Sequence, residues 1–396
     1  MKRTAILSLA LCLALAGCAG PAAPAASSGP AGAASAESAA AAAPALRDLL
    51  PARNAYCPGT EGVYLTGTPD GEALVGTVLR WDTGEQTVLC SEPGCAHDSD
   101  SCPAWLGALS AGAQGRVLEA GGRLYWLALD ESGCTVTVSG TAGGPRTPLA
   151  DLPVTDLQSA YTDGEFLYLL WVRDSYETLL TRLDPATGET ADCAVRTGSA
   201  WPIGTWGDRV VVEDTQGGVA ALAPDGTVTP LAVPDGAMAL RADGGRLYAA
   251  VADGSGLTLT ARPLDTPDAA PETLAELPGC DPVGAALGPV YGGQLELVVS
   301  EARQVRAYWV GTGGGIQELP AVTMKDGASP RPAEIHTGND QWLWVTTGLR
   351  DETFTAIHDD GTLYTATRPV ELTGLTTPDD LADPDAAPRP CTRLGE

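Results

Sequence analysis

The chain has 396 residues, of which 44% are hydrophobic and 18% are charged, and its formal net charge is −27. This charge excludes a nucleic-acid partner, because binding to phosphates requires Lys and Arg side chains that release counterions. After the N-terminal segment, no run approaches the roughly 20 apolar residues of a spanning helix, so a polytopic membrane protein is also excluded.

The N-terminus has the parts of a secretory signal. Two basic residues, at positions 2 and 3, precede an apolar run from Ala5 to Ala16, which is too short to span a bilayer. The run ends in Leu15-Ala16-Gly17-Cys18, which resembles the lipobox of bacterial lipoprotein signals. This resemblance implies cleavage after residue 17 and a lipid on Cys18. We therefore predict a signal peptide over residues 1–17, an extracytoplasmic location and attachment to the cell membrane through the lipid.

The segment that follows the signal is typical of a flexible tether. From Ala19 to Ala45 it consists of Ala, Pro, Gly and Ser with a single charge, Glu37. A chain of this kind has an end-to-end distance of about 5 Å times the square root of its length. We predict a tether over residues 18–50, including the lipidated cysteine, that holds the folded body roughly 25 to 30 Å from the lipid.

One pattern recurs between residues 51 and 375, where a turn containing Gly or Asp leads into a short apolar strand. The copies begin at Gly62, Gly122, Gly164, Gly207, Gly245, Gly293 and Asp340. Subtracting consecutive starting positions gives spacings of 60, 42, 43, 38, 48 and 47 residues, the range of four-stranded propeller blades. Strands such as Leu124 to Leu129 are apolar at odd and even positions alike. This indicates burial on both faces, as between two neighbouring blades.

These repeats predict an all-β chain that forms a single β-propeller of seven blades over residues 51–375. Helical patterns are almost absent, because 48 Gly and 31 Pro interrupt any that begin. Six or eight blades remain alternatives, and so does a stack of two β-sandwiches, although a stack does not explain the nearly even spacings. Residues 376–396, rich in Pro and Asp, are predicted to form a tail on the surface.

The longest spacing coincides with an insertion at residues 90–105, between the first two repeats. Its Cys90, Cys95, His97 and Cys102 have the form C-x4-C-x-H-x4-C. Three thiolates and one imidazole make a four-coordinate zinc ligand set, so a metal site is one interpretation. We favour a second interpretation, a loop held by disulfides, because the extracytoplasmic compartment permits oxidation. If Cys18 carries the lipid and the signal is removed, eight other cysteines remain, an even number that can pair completely.

The insertion also carries a family resemblance. The chain resembles uncharacterised cysteine-bearing β-propeller lipoproteins of anaerobic Gram-positive bacteria. The resemblance rests on a lipobox and tether, then Pro-Gly-Cys and His-Asp within the stretch from Cys90 to Trp105, and then blade repeats. That family has no established substrate, so the resemblance implies no activity. The overall plan is also similar to the propeller lipoprotein of the outer-membrane barrel assembly machinery, from which the Cys/His insertion departs.

The motifs of the common hydrolases are missing, since neither G-x-S-x-G nor H-E-x-x-H occurs. We assign no catalytic residue and predict a monomeric, non-catalytic recognition or scaffold module that binds an unidentified protein, peptide or glycan. The alternative is an exported carbohydrate-active hydrolase or lyase that uses Asp or Glu in the central channel. Trp105, Trp201 and Trp206 fall at strand edges or loops, where they could form a ligand platform. His336 and His358 are expected to be structural or exposed.

Overall fold

The computed structural model describes residues 44–51, 56–70, 73–108, 115–174, 176–322, 331–357, 362–383 and 385–394. These residues form strands and turns, and no helix occurs among them. Within this part of the chain there is accordingly no helix of the length and apolarity that a membrane crossing needs. The predicted signal, Cys18, most of the tether and His358 lie outside the described residues.

After β1 (Arg47–Asp48), the strands follow one another in antiparallel four-stranded units. The first four units contain β2 (Tyr56–Pro58), β3 (Gly62–Asp70), β4 (Ala73–Arg80), β5 (Gln86–Val88) and β6 (Trp105–Ala108); then β7 (Gly115–Ala120), β8 (Arg123–Asp130), β9 (Gly133–Gly140) and β10 (Thr147–Leu152); then β11 (Leu157–Thr162), β12 (Leu167–Arg173), β13 (Glu177–Leu183) and β14 (Thr190–Thr197); and then β15 (Ala200–Trp206), β16 (Arg209–Asp214), β17 (Val219–Leu222) and β18 (Val228–Leu231).

The remaining strands continue this order. They are β19 (Ala237–Asp243), β20 (Arg246–Ala252), β21 (Gly256–Pro263) and β22 (Glu272–Pro278); β23 (Pro282–Tyr291), β24 (Gln294–Glu301), β25 (Val305–Gly311) and β26 (Ile316–Glu318); a short pair, β27 (Ala321–Val322) and β28 (Arg331–Pro332); and β29 (Ile335–Gly338), β30 (Leu343–Ile357), β31 (Leu363–Thr376) and β32 (Arg389–Pro390). Five sheets of four or five strands are separate, and β15 to β22 form one eight-stranded sheet.

Each predicted turn precedes the second strand of a unit, as the sequence pattern requires. The turn between β7 and β8 shows why glycine recurs there, because Gly121 and Gly122 have φ values of 56° and 70°. Two consecutive left-handed residues characterise the type I′ hairpin turn, which matches the twist of its strands and favours glycine. The repeated glycines therefore mark the tight turn at the start of each strand.

The core lies between units rather than inside them. Buried apolar side chains of consecutive units form shared clusters along the chain. The series closes on itself, because Val63 and Leu65 of the first unit share a cluster with Trp344 and Leu375 of the last. The first strands of neighbouring units also contact one another, as β15 and β19 do at Gly204 and Ala242. The result is an all-β, β-propeller-like arrangement.

The C-terminal residues take part in this closure. Residues 376–396, expected to form a surface tail, include β32, which pairs with β31, and the buried Leu381 and Ala382. Thr392 then forms a parallel bridge with Glu85 of the first unit. The chain end thus connects the last unit to the first.

The end of the predicted tether is also packed. Arg47 and Asp48 pair with β11, the first strand of the third unit. The backbone N–H of Leu46 donates to the Gly207 carbonyl of the fourth unit over 2.8 Å. Leu49 and Leu50 are fully buried side chains. Residues 46–50 therefore belong to the folded body and lie against the first strands of neighbouring units.

Candidate metal centre

The Cys/His insertion interrupts the outermost strand of the first unit. β5 pairs with the second half of β4 and β6 with its first half. Gly76 of β4 lies between them: its carbonyl accepts from the Leu89 N–H over 3.0 Å, and its own N–H donates to the Ala104 carbonyl over 2.9 Å. One residue of β4 therefore holds both ends of the loop 89–104. The insertion lies inside the first unit, not between the first two repeats as its sequence position suggested.

The four predicted ligands converge at this loop. The sulfur atoms of Cys90, Cys95 and Cys102 and a ring nitrogen of His97 all lie within 4.8 Å of one another. Nδ1 of His97 is 3.3 Å from Sγ of Cys102. Zinc bonds of about 2.3 Å to sulfur and about 2.0 Å to nitrogen place the ligand atoms of a tetrahedral site with three sulfurs and one nitrogen roughly 3.5 to 3.8 Å apart. The cluster could hold a metal ion after a contraction of about 1 Å.

The backbone of the loop places these side chains through tight turns. The Cys95 N–H donates to the Glu92 carbonyl over 3.3 Å, closing a turn through Gly94, whose φ is 73°. His97 has a φ of 57°, a left-handed conformation that is uncommon for a residue with a side chain. Strain of this kind costs about 1–3 kcal/mol and is typical of functional sites. In this conformation the His97 imidazole contacts Cys102 Sγ.

The thiols differ in their electrostatic surroundings. Cys102 is only 3% exposed, and burial raises the pKa of its thiol to about 12. The Ala104 N–H donates to Cys102 Sγ over 3.3 Å and partly opposes this effect. At Cys95 the backbone N–H of His97 stabilises the thiolate and lowers the pKa. A metal ion would have to displace the proton of Cys102, so metal affinity at this centre should fall as the pH falls.

The second unit contributes a cation to the centre. Arg146 donates through Nε to the Pro103 carbonyl over 2.6 Å and through Nη2 to the Trp105 carbonyl over 2.9 Å. Its guanidinium lies 3.9 Å from the ring centroid of Trp126 and close enough to Cys102 to stabilise a thiolate there. Burial lowers the pKa of Arg146 to about 10, so it stays protonated at neutral pH. Sequence reasoning missed Arg146 because only the contact between units identifies it.

The structure shows none of the disulfides that the sequence analysis favoured. Every described cysteine is a free thiol: Cys57, Cys90, Cys95, Cys102, Cys134, Cys193, Cys280 and Cys391. The cysteines outside the loop lie in or against four different hydrophobic clusters. Burial raises the pKa values of Cys57 and Cys134 to about 12, as expected for inert packing residues.

The tryptophans considered as ligand platforms have different surroundings. Trp105 lines a cavity of 590 Å³ beside the metal centre, together with Cys102 and Arg146. Trp206 lines a second cavity, of 670 Å³, at the turns between the first and second strands of several units. Trp201 packs against the buried cluster between the fourth and fifth units. Two of the three are therefore placed where a ligand could reach them.

The comparisons with known proteins give low similarities. No protein-family model matches the chain, and no curated protein matches it. A prolyl endopeptidase structure is 12% identical with a TM-score of 0.45, covering 84% of this chain and 47% of its own. The β-propeller domain of the Trilobed protease from Pyrococcus furiosus is 11% identical with a TM-score of 0.41, covering 79% and 95%. TolB from Acinetobacter baumannii is 12% identical with a TM-score of 0.37, covering 68% and 64%.

This chain thus spans 47% of the length of the prolyl endopeptidase. All three TM-scores lie below 0.5. The similarities therefore assign neither an activity nor a partner to this chain.

Proposed function

We propose that the chain is a lipid-anchored, extracytoplasmic recognition module, a monomer built on a seven-bladed β-propeller and without catalytic activity. The anchor and the location rest on the lipobox that ends at Cys18. The blade number rests on the eight-stranded sheet, in which two four-stranded meanders meet only at Gly204 and Ala242. We count that sheet as two blades, which together with the five separate sheets makes seven.

The observation that supports this proposal is the composition of the metal centre, which offers a metal ion a structural role and not a catalytic one. We propose that zinc is bound by Cys90, Cys95, His97 and Cys102. Four protein ligands complete a tetrahedral zinc sphere and leave no position for water or substrate, which is the mark of a structural site. Such a centre would stabilise the loop on the first unit. Arg146 of the second unit contacts the same loop through the Pro103 and Trp105 carbonyls, so the centre would also stabilise the contact between the two units.

The charge of the centre supports zinc. Three thiolates and a neutral imidazole around Zn²⁺ carry a net charge of about −1. The guanidinium of Arg146 lies close enough to Cys102 to offset that charge. Two backbone N–H groups, of His97 and Ala104, donate to the sulfurs of Cys95 and Cys102 and stabilise their thiolates. Such surrounding contacts orient metal ligands and tune their affinity.

Metal content and thiol count test this proposal on the mature chain carrying Cys18→Ser. We expect about one zinc per chain, lost in the His97→Ala variant and retained in Cys193→Ser, which changes a partly exposed cysteine outside the loop. Zinc retained by His97→Ala would contradict the ligand assignment. A metal-free wild type whose loop cysteines are oxidised would restore the disulfide interpretation.

One observation favours the alternative, an exported carbohydrate-active hydrolase or lyase. Burial raises the pKa of Glu296 to about 8, and the nearby Glu334 carboxylate adds to the effect. A carboxyl group that stays protonated at neutral pH is what a general acid in glycoside cleavage needs. Glu296 also has a structural role, since it fills the bulge of β23 at Gly288, where an added Cβ would lie 2.6 Å from its Oε2. Hydrolysis of chromogenic glycosides by the wild type, abolished in Glu296→Gln, would favour the enzyme.

A further inference from the structure

The cavity of 670 Å³, here called the mouth cavity, lies where the N-terminal segment meets turns of the fourth to seventh units. Its lining includes Asp48, Trp206, Arg241, Asp243, Tyr291 and Asp340. Its volume falls within the range of about 300–1,000 Å³ typical of small-molecule sites. The mouth cavity shares no lining residue with the cavity beside the metal centre.

The floor of the mouth cavity holds a guanidinium whose donors are only partly used. Arg241 is 8% exposed, and its Nη1 donates to the Pro51 carbonyl over 3.2 Å. Its Nη2 lies 3.9 Å from Oδ2 of Asp48, which is too long for a hydrogen bond, and its Nε has no hydrogen-bond partner among the described residues. Buried donors without acceptors cost free energy. A gap of this length between donor and acceptor is one that a bridging oxygen atom can fill.

Acceptors surround this donor. Oδ1 of Asp48 accepts from the Leu50 N–H over 3.0 Å, so Oδ2 is the oxygen that faces Arg241. Asp243 lies two residues after Arg241 in β19 and therefore on the same face of the strand. Burial raises the pKa values of both Asp48 and Asp243. The cavity thus offers a guanidinium and two half-buried carboxyl groups close together.

The charge of the lining limits the chemistry of a ligand. Four aspartates, Asp48, Asp243, Asp265 and Asp340, line the cavity beside two arginines, Arg47 and Arg241. The lining therefore has no excess of positive charge that would attract an anionic ligand. An ammonium group donates hydrogen bonds but accepts none, so it would leave the Arg241 donors unmatched. A hydroxyl group both accepts and donates, and therefore satisfies Arg241 and an aspartate together.

An aromatic wall completes the site. Trp206 lines the cavity, its Nε1 donates to Oδ1 of Asp265 over 2.9 Å, and the guanidinium of Arg209 lies 4.4 Å from its ring centroid. These contacts hold the indole in one orientation. A fixed aromatic surface beside directed polar groups suits a ligand with apolar C–H faces and hydroxyl edges.

We propose that the mouth cavity binds a neutral saccharide. Arg241 and Asp48 bracket one hydroxyl group, Asp243 accepts from a second, and Trp206 packs against the sugar. The proposal rests on the proposed function, because it specifies the ligand class of the recognition module.

Calorimetric titration and saturation-transfer NMR on the zinc-loaded mature chain carrying Cys18→Ser test this assignment. The probes are glucose, N-acetylglucosamine, maltose and chitobiose. We expect binding of at least one probe, weakened at least about tenfold in both Asp243→Asn and Trp206→Leu. Trp105→Leu, which changes the other cavity, is the matched control and should bind as the wild type does. Asp243→Asn preserves shape, and its thermal unfolding shows whether the fold is retained.

Two results would overturn the saccharide site: no binding of any probe at about 10 mM, or binding that neither Asp243→Asn nor Trp206→Leu weakens. If the probes do not bind but zinc remains at about one per chain, the cavity assignment alone fails. If a bound probe is hydrolysed, the cavity assignment stands and the non-catalytic proposal fails.

Discussion

A methyl group at position 76 should destabilise the first two units and the metal loop together. A Cβ added to Gly76 would lie 2.3 Å from Cζ3 and 2.6 Å from Cη2 of Trp126. Neither distance is compatible with van der Waals contact, so the indole must move. Trp126 is fully buried, and its Nε1 donates to Ser139 Oγ over 2.8 Å. Its ring also makes a cation–π contact with the Arg146 guanidinium. Gly76→Ala therefore disturbs a packed ring, a hydrogen bond and a cation–π contact.

The magnitude follows from these three effects. Overpacking a core costs about 1–3 kcal/mol, a buried hydrogen bond contributes about 1 kcal/mol, and a desolvated cation–π contact contributes about 1–2 kcal/mol. The effects overlap, because one displacement of the Trp126 ring causes all of them. We expect the free energy of unfolding to fall by about 3 kcal/mol.

Urea denaturation followed by circular dichroism measures this loss, with Gly140→Ala as the matched control. A Cβ at Gly140 would meet nothing within 4 Å, so the control should stay within about 0.5 kcal/mol of the wild type. Gly76→Ala should also weaken zinc binding, since Gly76 holds Leu89 and Ala104 at the two ends of the loop. Equal stability of the two variants would show that the Trp126 ring does not restrict position 76.

Three further predictions concern single side chains. Burial raises the pKa of Glu296 from 4.5 to about 8, so the folded protein binds this proton more tightly than the unfolded chain does. The resulting contribution to the free energy of unfolding is complete below pH 4.5 and is lost as the pH rises through 8. The free energy of unfolding of the wild type should therefore fall more than that of Glu296→Gln over this interval, and parallel pH profiles would contradict the shift. Cys18→Ala should release the folded protein from membranes in fractionation experiments, and continued retention would remove the anchor. Arg146→Met should weaken zinc affinity about 10–100-fold in chelator competition. Arg182→Met, which removes a guanidinium 4.6 Å from the Phe166 ring in the third unit, is its control, and equal affinities would exclude a role for Arg146 at the centre.

The strands were predictable because their signals are local. A glycine turn followed by an apolar strand marks the second strand of each unit, and apolar residues on both faces indicate burial between sheets. The sequence does not identify the C-terminal segment as part of a sheet, because 12 residues separate β31 from β32, more than the short hairpin turns that sequence motifs mark. Nor does it identify residues 46–50 as part of the folded body, because their strand is only two residues long and pairs with β11, more than 100 residues later in the chain.

The all-β class, the repeat and the four residues able to ligate a metal are predictable from the amino-acid sequence, since each depends on residue types at short spacings. The three-dimensional fold is needed to show that Cys90, Cys95, His97 and Cys102 meet, and that the loop belongs to the first unit. It alone identified Gly76, Arg146 and Arg241, whose partners are distant in the chain. These three residues contact partners that are distant in the sequence, and no local sequence pattern shows which segments become neighbours when the ring closes.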